Sequence, residues 1–240
     1  MEPRTDRRTL RAILFDAGNT LLRMNYGVIT AYLRSRGHAV TETAVEEAEL
    51  RARVRLDPHL QTSPDDWRST EGRTTQGRYL RYLLEGIGIT DELETTAIAE
   101  WRRRYNLPVG LWNLADPRAV PALRRVREAG IIPGVVSNSN GSVRTILAET
   151  GLLEHVDFVI DSAVVGFEKP DPAIFRLALG RAGVAAHEAA YVGDLYSVDV
   201  LGARGVGVAA VLLDPRGFWG PRDCPCAPDV EAAVELLLGE

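Results

Sequence analysis

The sequence predicts an α/β protein built on a Rossmann-like, doubly wound parallel sheet, with an α-helical domain inserted near the start of the chain. Short apolar runs that suit buried strands alternate with segments of helical periodicity. The alternation stops between residues 24 and 112, where the spacing of the apolar residues indicates helices only. Several of the apolar runs end in small or acidic residues, as expected at the carboxyl edge of an open α/β sheet, where ligands bind.

The first predicted strand covers residues 12–15, Ala-Ile-Leu-Phe, and Asp16 follows it at once. A wholly apolar run of this length suits a central strand of a parallel sheet. Asp16 would then lie at the strand tip, where chemistry takes place in such sheets. An aspartate that caps the following turn is the alternative explanation.

A second apolar run begins at Gly134 and ends in Ser137 and Asn138, just before a helical pattern that starts near Val143. A hydroxyl and free backbone N–H groups at a helix entry suit a phosphate oxygen. A simple turn would also explain these residues.

Lys169 is the only lysine of the chain, and all the remaining residues among its 28 lysines and arginines are arginines. It lies in residues 166–172, Gly-Phe-Glu-Lys-Pro-Asp-Pro. A compact point charge has therefore been kept where a forked guanidinium is otherwise preferred. A surface bend is the simpler interpretation of the same segment.

The last segment of this kind covers residues 190–199, where Asp194 ends a strand-like run and Asp199 follows. Two carboxylates beside a strand tip suggest a hard cation bound by oxygen atoms.

In this order, at the ends of strands, the four segments resemble the motifs of the haloacid dehalogenase superfamily of phosphatases and related hydrolases. In that resemblance Asp16 corresponds to the nucleophile, Ser137 to the hydroxyl of the second motif and Lys169 to the lysine of the third. Asp194 and Asp199 correspond to the acids of the fourth motif. The resemblance implies that Asp16 accepts a phosphoryl group as an aspartyl-phosphate.

The resemblance also implies two sets of ligands. Mg²⁺ would be bound by Asp16, Asp194, Asp199 and the main-chain carbonyl of Gly18. The phosphate would be bound by Ser137, Asn138, Lys169, Gly18 and Asn19. Neutralisation by the cation and the lysine would let a carboxylate approach an anionic phosphate ester.

The inserted segment corresponds to the helical cap that many superfamily members carry after the first strand. We predict a cap of residues 24–112 and a core of residues 1–23 and 113–240. Helical patterns cover residues 41–56, 77–84 and 91–105, and a further helix at 119–128 returns the chain to the sheet. The resemblance implies that the cap selects substrates, whereas a helical domain that only adds stability is the alternative. Its arginines, which suit either an anionic substrate or a solvated face, are Arg68, Arg73, Arg78 and Arg81.

The chain departs from the superfamily phosphatases at Gly18, where those enzymes place a second aspartate that serves as general acid and base. No Asp or Glu occurs between Ala17 and Thr41. General acid–base catalysis contributes ~10²–10⁴ in rate, so we expect slow turnover with metal binding and nucleophilic attack retained. Candidate replacements from the cap are His38, Asp65, Asp66 and Glu71.

Other branches of the superfamily that lack this acid fit less well. Haloacid dehalogenases have an aromatic residue at the position of Gly18 and a Ser-Asn pair where this chain has Gly193 and Asp194. Phosphonoacetaldehyde hydrolases need a Schiff-base lysine from the cap, but the sole lysine belongs to the third motif. Phosphomutases keep the second acid.

We therefore predict a hydrolase, namely a slow Mg²⁺-dependent phosphatase of a small phosphorylated metabolite. The alternative is a catalytically impaired relative that binds a phosphorylated ligand or a protein partner, and dehalogenation is a distant third. The sequence leaves the oligomeric state open.

Composition agrees with a globular enzyme, since 45% of the 240 residues are hydrophobic and 25% are charged. A net charge of −5 provides no basic field for nucleic acid. No apolar stretch reaches the ~18 residues that span a bilayer, and the first residues lack the apolar core of a secretory signal. We expect no membrane partner and a cytoplasmic location.

The C-terminal region contains a Pro- and Gly-rich segment, residues 214–228, with Phe218 and Trp219. Its aromatic rings would either meet a partner or fold back onto the core. Cys224 and Cys226 are too few and too close for a structural zinc site, and we interpret them as reduced thiols of a surface loop.

Overall fold

The computed structural model describes residues 10–62, 69–106 and 109–239. These residues form two compact units. One combines the chain up to residue 23 with the chain from residue 114 onward, and the other comprises residues 24–113. Within the described segments, no helix is both long and apolar enough to cross a lipid bilayer.

The first unit is built on a parallel sheet of six strands in the order β5-β4-β1-β6-β7-β8. The strands in chain order are β1 (Ala12–Phe15), β2 (Leu22–Met24), β3 (Trp112–Ala115), β4 (Ile132–Ser137), β5 (Phe158–Asp161), β6 (Ala189–Gly193), β7 (Ala209–Leu213) and β8 (Cys226–Ala227). β2 and β3 form a separate two-stranded sheet. The chain winds outward from β1 in both directions, so the predicted doubly wound class is confirmed.

Ten α-helices are present in the described residues. They are α1 (Tyr26–Ser35), α2 (Glu42–Thr62), α3 (Arg73–Gly86), α4 (Glu92–Tyr105), α5 (Ala119–Glu128), α6 (Val143–Glu149), α7 (Ser162–Val165), α8 (Pro172–Ala182), α9 (Leu201–Arg204) and α10 (Val230–Leu238). In the first unit, α5 and α8 pack against β4, and α10 packs against β6 and β7. Every residue of β1 is buried, because the strand is central in the sheet.

The register of the sheet brings the predicted motifs to one edge. Phe15 pairs with Val135 on one side of β1 and with Val192 on the other. Asp16 therefore follows β1 at the level where β4 ends in Ser137 and β6 ends in Gly193. Because all three strands run parallel, their carboxyl ends form a common edge.

The second unit consists of α1 to α4, and its core includes a buried charged group. Glu49 is fully buried and accepts hydrogen bonds from Tyr26 Oη at 2.8 Å, from Arg53 Nη2 at 2.8 Å and from Tyr79 Oη. Burial raises the pKa of the Tyr79 phenol well above its usual value, so this phenol stays a donor. Polar partners thus satisfy the buried carboxylate, as a charge inside a protein requires.

The C-terminal segment is more ordered than its composition predicts. Cys226 and Ala227 form β8, which pairs with β7, so the expected surface loop is corrected to a loop that ends in a short edge strand. Trp219 is only 5% exposed, and the side chain of Asp214 accepts its backbone N–H at 3.2 Å. Both cysteines are free, and burial raises the pKa of Cys224 to about 12. The buried indole of Trp219 agrees with the expectation that the aromatic rings fold back onto the core.

Gly134 marks a close approach between β4 and β5. A Cβ at this position would lie 2.3 Å from Cζ of Phe158 on the neighbouring strand. We expect Gly134→Ala to lower the free energy of unfolding by ~1–3 kcal/mol, as overpacking does in well-packed cores. Urea denaturation measures this loss.

Gly180→Ala is the matched control, because a Cβ there meets no atom within 4 Å and the residue lies inside α8. This substitution should raise the free energy of unfolding by ~0.5–1 kcal/mol through helix propensity. Equal stability of the two variants would contradict the packing argument.

Candidate active site

The centre of the site is a buried ion pair between Asp16 and Lys169. Asp16 directly follows β1, is 7% exposed, and donates its backbone N–H to the carbonyl of Val192 at 2.9 Å. Its Oδ1 accepts a hydrogen bond from Lys169 Nζ at 2.5 Å. Lys169 itself is 2% exposed. The fold has thus brought the only lysine of the chain to the carboxylate that the sequence singles out.

Lys169 is held by three acceptors. Besides Asp16, its Nζ donates to Tyr191 Oη and to Asp199 Oδ1, each at 2.8 Å. An ammonium group has three N–H donors and no acceptor, so each donor has one partner here. The lysine charge is consequently fixed in position beside Asp16.

Burial and the neighbouring charges shift the pKa values of both Asp16 and Lys169. Burial raises the pKa of Asp16 to about 6, because the loss of water outweighs the attraction of Lys169. Burial alone would lower the pKa of Lys169, but Asp16 and Asp199 raise this pKa well above its usual value. At neutral pH the pair is therefore mainly a carboxylate and an ammonium, the states that a nucleophile and a charge screen require.

Asp199 lies within the π-helical turn Tyr196–Val200 and is 1% exposed. Its Oδ2 accepts the backbone N–H groups of Asp194 at 3.1 Å and Leu195 at 2.9 Å, while Oδ1 faces Lys169. A Cβ on Gly193 would lie 2.4 Å from Cγ of Asp199, so no side chain fits at that position. Asp199 thus shapes the loop after β6 and supports the lysine.

Ser137 and Asn138 follow the end of β4. The Asn138 side chain accepts the backbone N–H of Lys169 at 2.8 Å and donates to the carbonyl of the same residue at 2.9 Å. These two hydrogen bonds anchor the backbone of Lys169. The sequence predicts Asn138 only as a phosphate ligand and gives no signal for this anchoring contact. Ser137 is 4% exposed, and its Oγ donates to the carbonyl of Asn138 at 3.3 Å.

Gly18 and Asn19 lie in a tight turn after Asp16. The carbonyl of Ala17 accepts the N–H of Leu22 at 2.8 Å, which closes the turn. Asn19 has a φ of 56°, in the left-handed region that asparagine tolerates. Its Nδ2 donates to Oδ2 of Asp194 at 3.3 Å. The turn therefore connects the segment after β1 to the carboxylate after β6.

Residues 10–207, which include all of these groups, match the family of haloacid dehalogenase-like hydrolases. The chain belongs to this family. The hydrolase is 32% identical to human haloacid dehalogenase-like hydrolase domain-containing protein 3 over 213 residues, which cover 86% of the chain and 83% of the human protein.

Two further relatives have names that specify a reaction. Phosphoserine phosphatase of Thermus thermophilus is 38% identical over 161 residues, with 66% of this hydrolase and 61% of that enzyme covered. Glyceraldehyde 3-phosphate phosphatase of Methanopyrus kandleri is 29% identical over 234 residues, with 92% of each chain covered. The family thus includes phosphatases related to this hydrolase in sequence.

Solved structures show the same fold. The crystal structure of a HAD phosphatase from Thermococcus onnurineus has a TM-score of 0.58 and 26% identity, with coverage of 96% of the hydrolase and 98% of that chain. L-2-haloacid dehalogenase from Xanthobacter autotrophicus has a TM-score of 0.60 and 20% identity, with coverage of 96% and 99%. Proteins named for either reaction share this fold, so the fold by itself does not specify the reaction.

The oxygen donors of the hydrolase can be compared with the needs of Mg²⁺. The described segments contain no group of three or more His, Cys, Asp or Glu side chains arranged to hold a metal. Asp16 and Asp194 do present two buried carboxylates at one sheet edge. Mg²⁺ commonly takes one or two carboxylates and keeps several waters, so this donor set fits it. The contacts of Asp199 favour an indirect role.

Sequence reasoning missed two buried side chains of the site. Tyr191 binds the lysine from within β6, and its only signal was a polar aromatic residue in a small apolar run. Asp161 ends β5 and accepts backbone N–H groups of Gly141 at 3.2 Å and Ala163 at 3.0 Å. Its signal was an acid after a strand-like run, as for Asp16. Asp161 orders the loop after Ser137.

The suggested replacements for the missing acid are engaged elsewhere or lie outside the described segments. His38 Nε2 lies 3.0 Å from Glu94 Oε1, and Glu71 accepts a hydrogen bond from Gln76 at 3.3 Å. Asp65, Asp66 and Arg68 lie outside the described residues. Of the other arginines singled out in residues 24–112, Arg73 and Arg81 are exposed and Arg78 is half-buried. The substrate role of these arginines stays a prediction.

Proposed function

We propose that this hydrolase is an Mg²⁺-dependent phosphatase of a small phosphorylated metabolite, with Asp16 as the nucleophile. The observation that carries the proposal is the buried pair of Asp16 and Lys169, with the buried Asp194 directly after β6, the strand that pairs with β1. A carboxylate held against a fixed ammonium group is partly neutralised, which favours its approach to an anionic phosphorus centre.

In the proposed first step, an Asp16 oxygen forms a bond to phosphorus while the bond from phosphorus to the ester oxygen breaks. The ester oxygen leaves with the electron pair and takes a proton from water. Lys169 keeps Asp16 in position and screens its charge, and Ser137 with nearby N–H groups binds a phosphate oxygen. In the second step, a water oxygen forms a bond to phosphorus while the bond from phosphorus to the Asp16 oxygen breaks; the water gives up a proton to solvent, and Asp16 is released as a carboxylate together with inorganic phosphate. Bound Mg²⁺, held by Asp16, Asp194 and the Gly18 carbonyl, would supply further positive charge at the phosphate.

The phosphatase names among the relatives support this assignment over dehalogenation. Dehalogenation needs no cation, whereas this hydrolase has a buried carboxylate, Asp194, directly after β6, the strand that pairs with β1. Carboxylates after adjacent strands are the oxygen ligands that a hard cation such as Mg²⁺ would use. The cap role of residues 24–112, the substrate selection by that unit and the small phosphorylated substrate are part of the same proposal.

A second candidate function rests on Gly18. Without an acid at this position the leaving group and the attacking water receive no help from a local carboxylate. The protein would then bind a phosphorylated ligand or a protein partner through the same site and turn it over slowly or not at all.

Hydrolysis of p-nitrophenyl phosphate, with Mg²⁺ and with excess chelator, distinguishes the two functions. Nitrophenolate leaves without protonation, so this substrate suffers least from the missing acid. We expect Mg²⁺-dependent turnover and formation of an acid-stable aspartyl-phosphate during turnover. Binding of inorganic phosphate without any hydrolysis would instead favour the ligand-binding function.

Gly18→Asp should raise the turnover of alkyl phosphate esters by ~10²-fold, because a carboxylic acid at this position protonates the leaving group and then activates water. Gly18 does not have a positive φ, so its backbone conformation is one that an aspartate adopts without strain. Steady-state release of phosphate from a simple alkyl phosphate measures the gain.

Gly18→Asn is the matched control, since it has the same shape without an ionisable group and should give no gain. A folded Gly18→Asp variant without higher turnover would mean that another residue already acts as the acid. An equal gain in both variants would point to a steric effect.

A further inference from the structure

Tyr191 lies inside β6 with 0% exposure, and neither the sequence motifs nor the proposed chemistry assign it a role. Its Oη accepts a hydrogen bond from Lys169 Nζ at 2.8 Å and donates one to the carbonyl of Val136 at 2.9 Å. The hydroxyl therefore bridges the lysine and the backbone of β4.

The direction of these hydrogen bonds follows from their partners. A carbonyl can only accept, so the single phenolic proton points to Val136. An ammonium group can only donate, so the remaining lone pair of Oη faces Lys169. Burial raises the pKa of Tyr191 well above its usual value, which keeps the hydroxyl neutral. A neutral acceptor binds Nζ without competing with the charge of Asp16.

The ring is in turn held in place. It packs edge-on against Phe175, with ring centroids 5.4 Å apart and planes at 69°. β1 lies between β6 and β4, so the side chain reaches past the strand that carries Asp16. Val136 directly precedes Ser137. One side chain thus links the strand before Ser137 to the ammonium group beside Asp16.

We propose that Tyr191 is a positioning residue that fixes Lys169 Nζ for its role at Asp16; its catalytic meaning rests on the proposed phosphatase function. Without the hydroxyl, one N–H of the ammonium loses its partner, and Asp16 and Asp199 compete for a group that is free to tilt. Small displacements of a positioned group lower the rate of the chemical step more than they weaken substrate binding.

The test compares Tyr191→Phe with Tyr196→Phe. Phenylalanine keeps the buried ring and removes only the hydroxyl. Tyr196 is a matched control because its hydroxyl donates a hydrogen bond to Asp223 Oδ1 at 2.5 Å, whereas the acceptors of Lys169 Nζ are Asp16, Tyr191 and Asp199. For Mg²⁺-dependent hydrolysis of p-nitrophenyl phosphate, we expect Tyr191→Phe to lower kcat by ~10-fold with KM changed by less than ~2-fold. The control should match the wild-type protein.

A second readout does not depend on turnover. Because Lys169 is the only lysine, protein labelled with ¹⁵N-lysine has a single Nζ signal in its NMR spectrum. We expect a slowly exchanging ammonium signal in the wild-type protein and in Tyr196→Phe, and a shifted, faster-exchanging signal in Tyr191→Phe. An unchanged signal in Tyr191→Phe, or an unchanged kcat in an active protein, would overturn the positioning role. Lack of turnover in the wild-type protein would contradict the phosphatase function instead. The Nζ signal would then still show whether Tyr191 holds Lys169 in place.

Discussion

Asp16→Asn should lower the Mg²⁺-dependent hydrolysis of p-nitrophenyl phosphate by ~10⁴-fold or more, because removal of a nucleophile eliminates covalent catalysis. An amide has nearly the shape of the carboxylate but is a poor nucleophile. The fold should survive, since Lys169 keeps Asp199 and Tyr191 as hydrogen-bond partners. Initial rates of nitrophenolate release measure the loss, and urea denaturation verifies that the variant is folded.

Asp171→Asn is the matched control for this substitution. Asp171 is exposed, lies close to Lys169 in sequence and caps α8 by accepting the backbone N–H of Ala173 at 2.8 Å. Asparagine is an equally good N-cap, so activity and stability should stay near those of the wild-type protein. Retention of wild-type turnover by Asp16→Asn would remove Asp16 as the nucleophile and with it the proposed mechanism.

Lys169→Met should have the second largest effect, on both turnover and stability. The two carboxylates that face Nζ, those of Asp16 and Asp199, are both buried and would lose their counter-charge. Breaking a buried ion pair by removal of one partner costs ~3–5 kcal/mol. Loss of the screening charge should also lower kcat/KM for p-nitrophenyl phosphate by ~10³-fold, as loss of a strong electrostatic group does.

Two further variants make this prediction specific. Arg176→Met removes an exposed cation from neighbouring α8 and should change the free energy of unfolding by less than ~0.5 kcal/mol. The double variant of Lys169→Met with Asp16→Asn should be more stable than Lys169→Met alone, because it removes one of the unpaired carboxylates. If the double variant were less stable by the sum of the single effects, Asp16 and Lys169 would not interact as the structure indicates.

Local patterns in the sequence were enough to predict most of the elements that carry the site. The strand at residues 12–15 and the helix at residues 119–128 coincide with β1 and α5. Apolar runs identify buried strands because a central parallel strand is covered on both faces. The helix is recognisable because its apolar positions repeat with the helical period and a glycine with positive φ, Gly130, follows it. Helices 41–56 and 77–84 were predicted too short, since polar stretches extend α2 and α3.

The tertiary structure decided features that have no local signal. β8 depends on hydrogen bonds to β7, and the two residues that form it carry no strand pattern of their own. The side chain of Asn138 anchors the backbone of Lys169, a contact without a signal in the sequence, while the phosphate binding expected of Asn138 stays a prediction. The contacts of Asp199 involve Lys169 and a backbone loop, and none of them can be inferred from spacing alone.

The sequence by itself determined which chemical groups this hydrolase carries at the ends of its strands, namely a carboxylate, a hydroxyl, a single lysine and two further acids. It could do so because strand tips and turn residues are specified by neighbours along the chain. Only the tertiary structure decided that the lysine is surrounded by Asp16, Tyr191 and Asp199. Those partners are far apart in sequence, and strand order and register alone bring them within hydrogen-bonding distance.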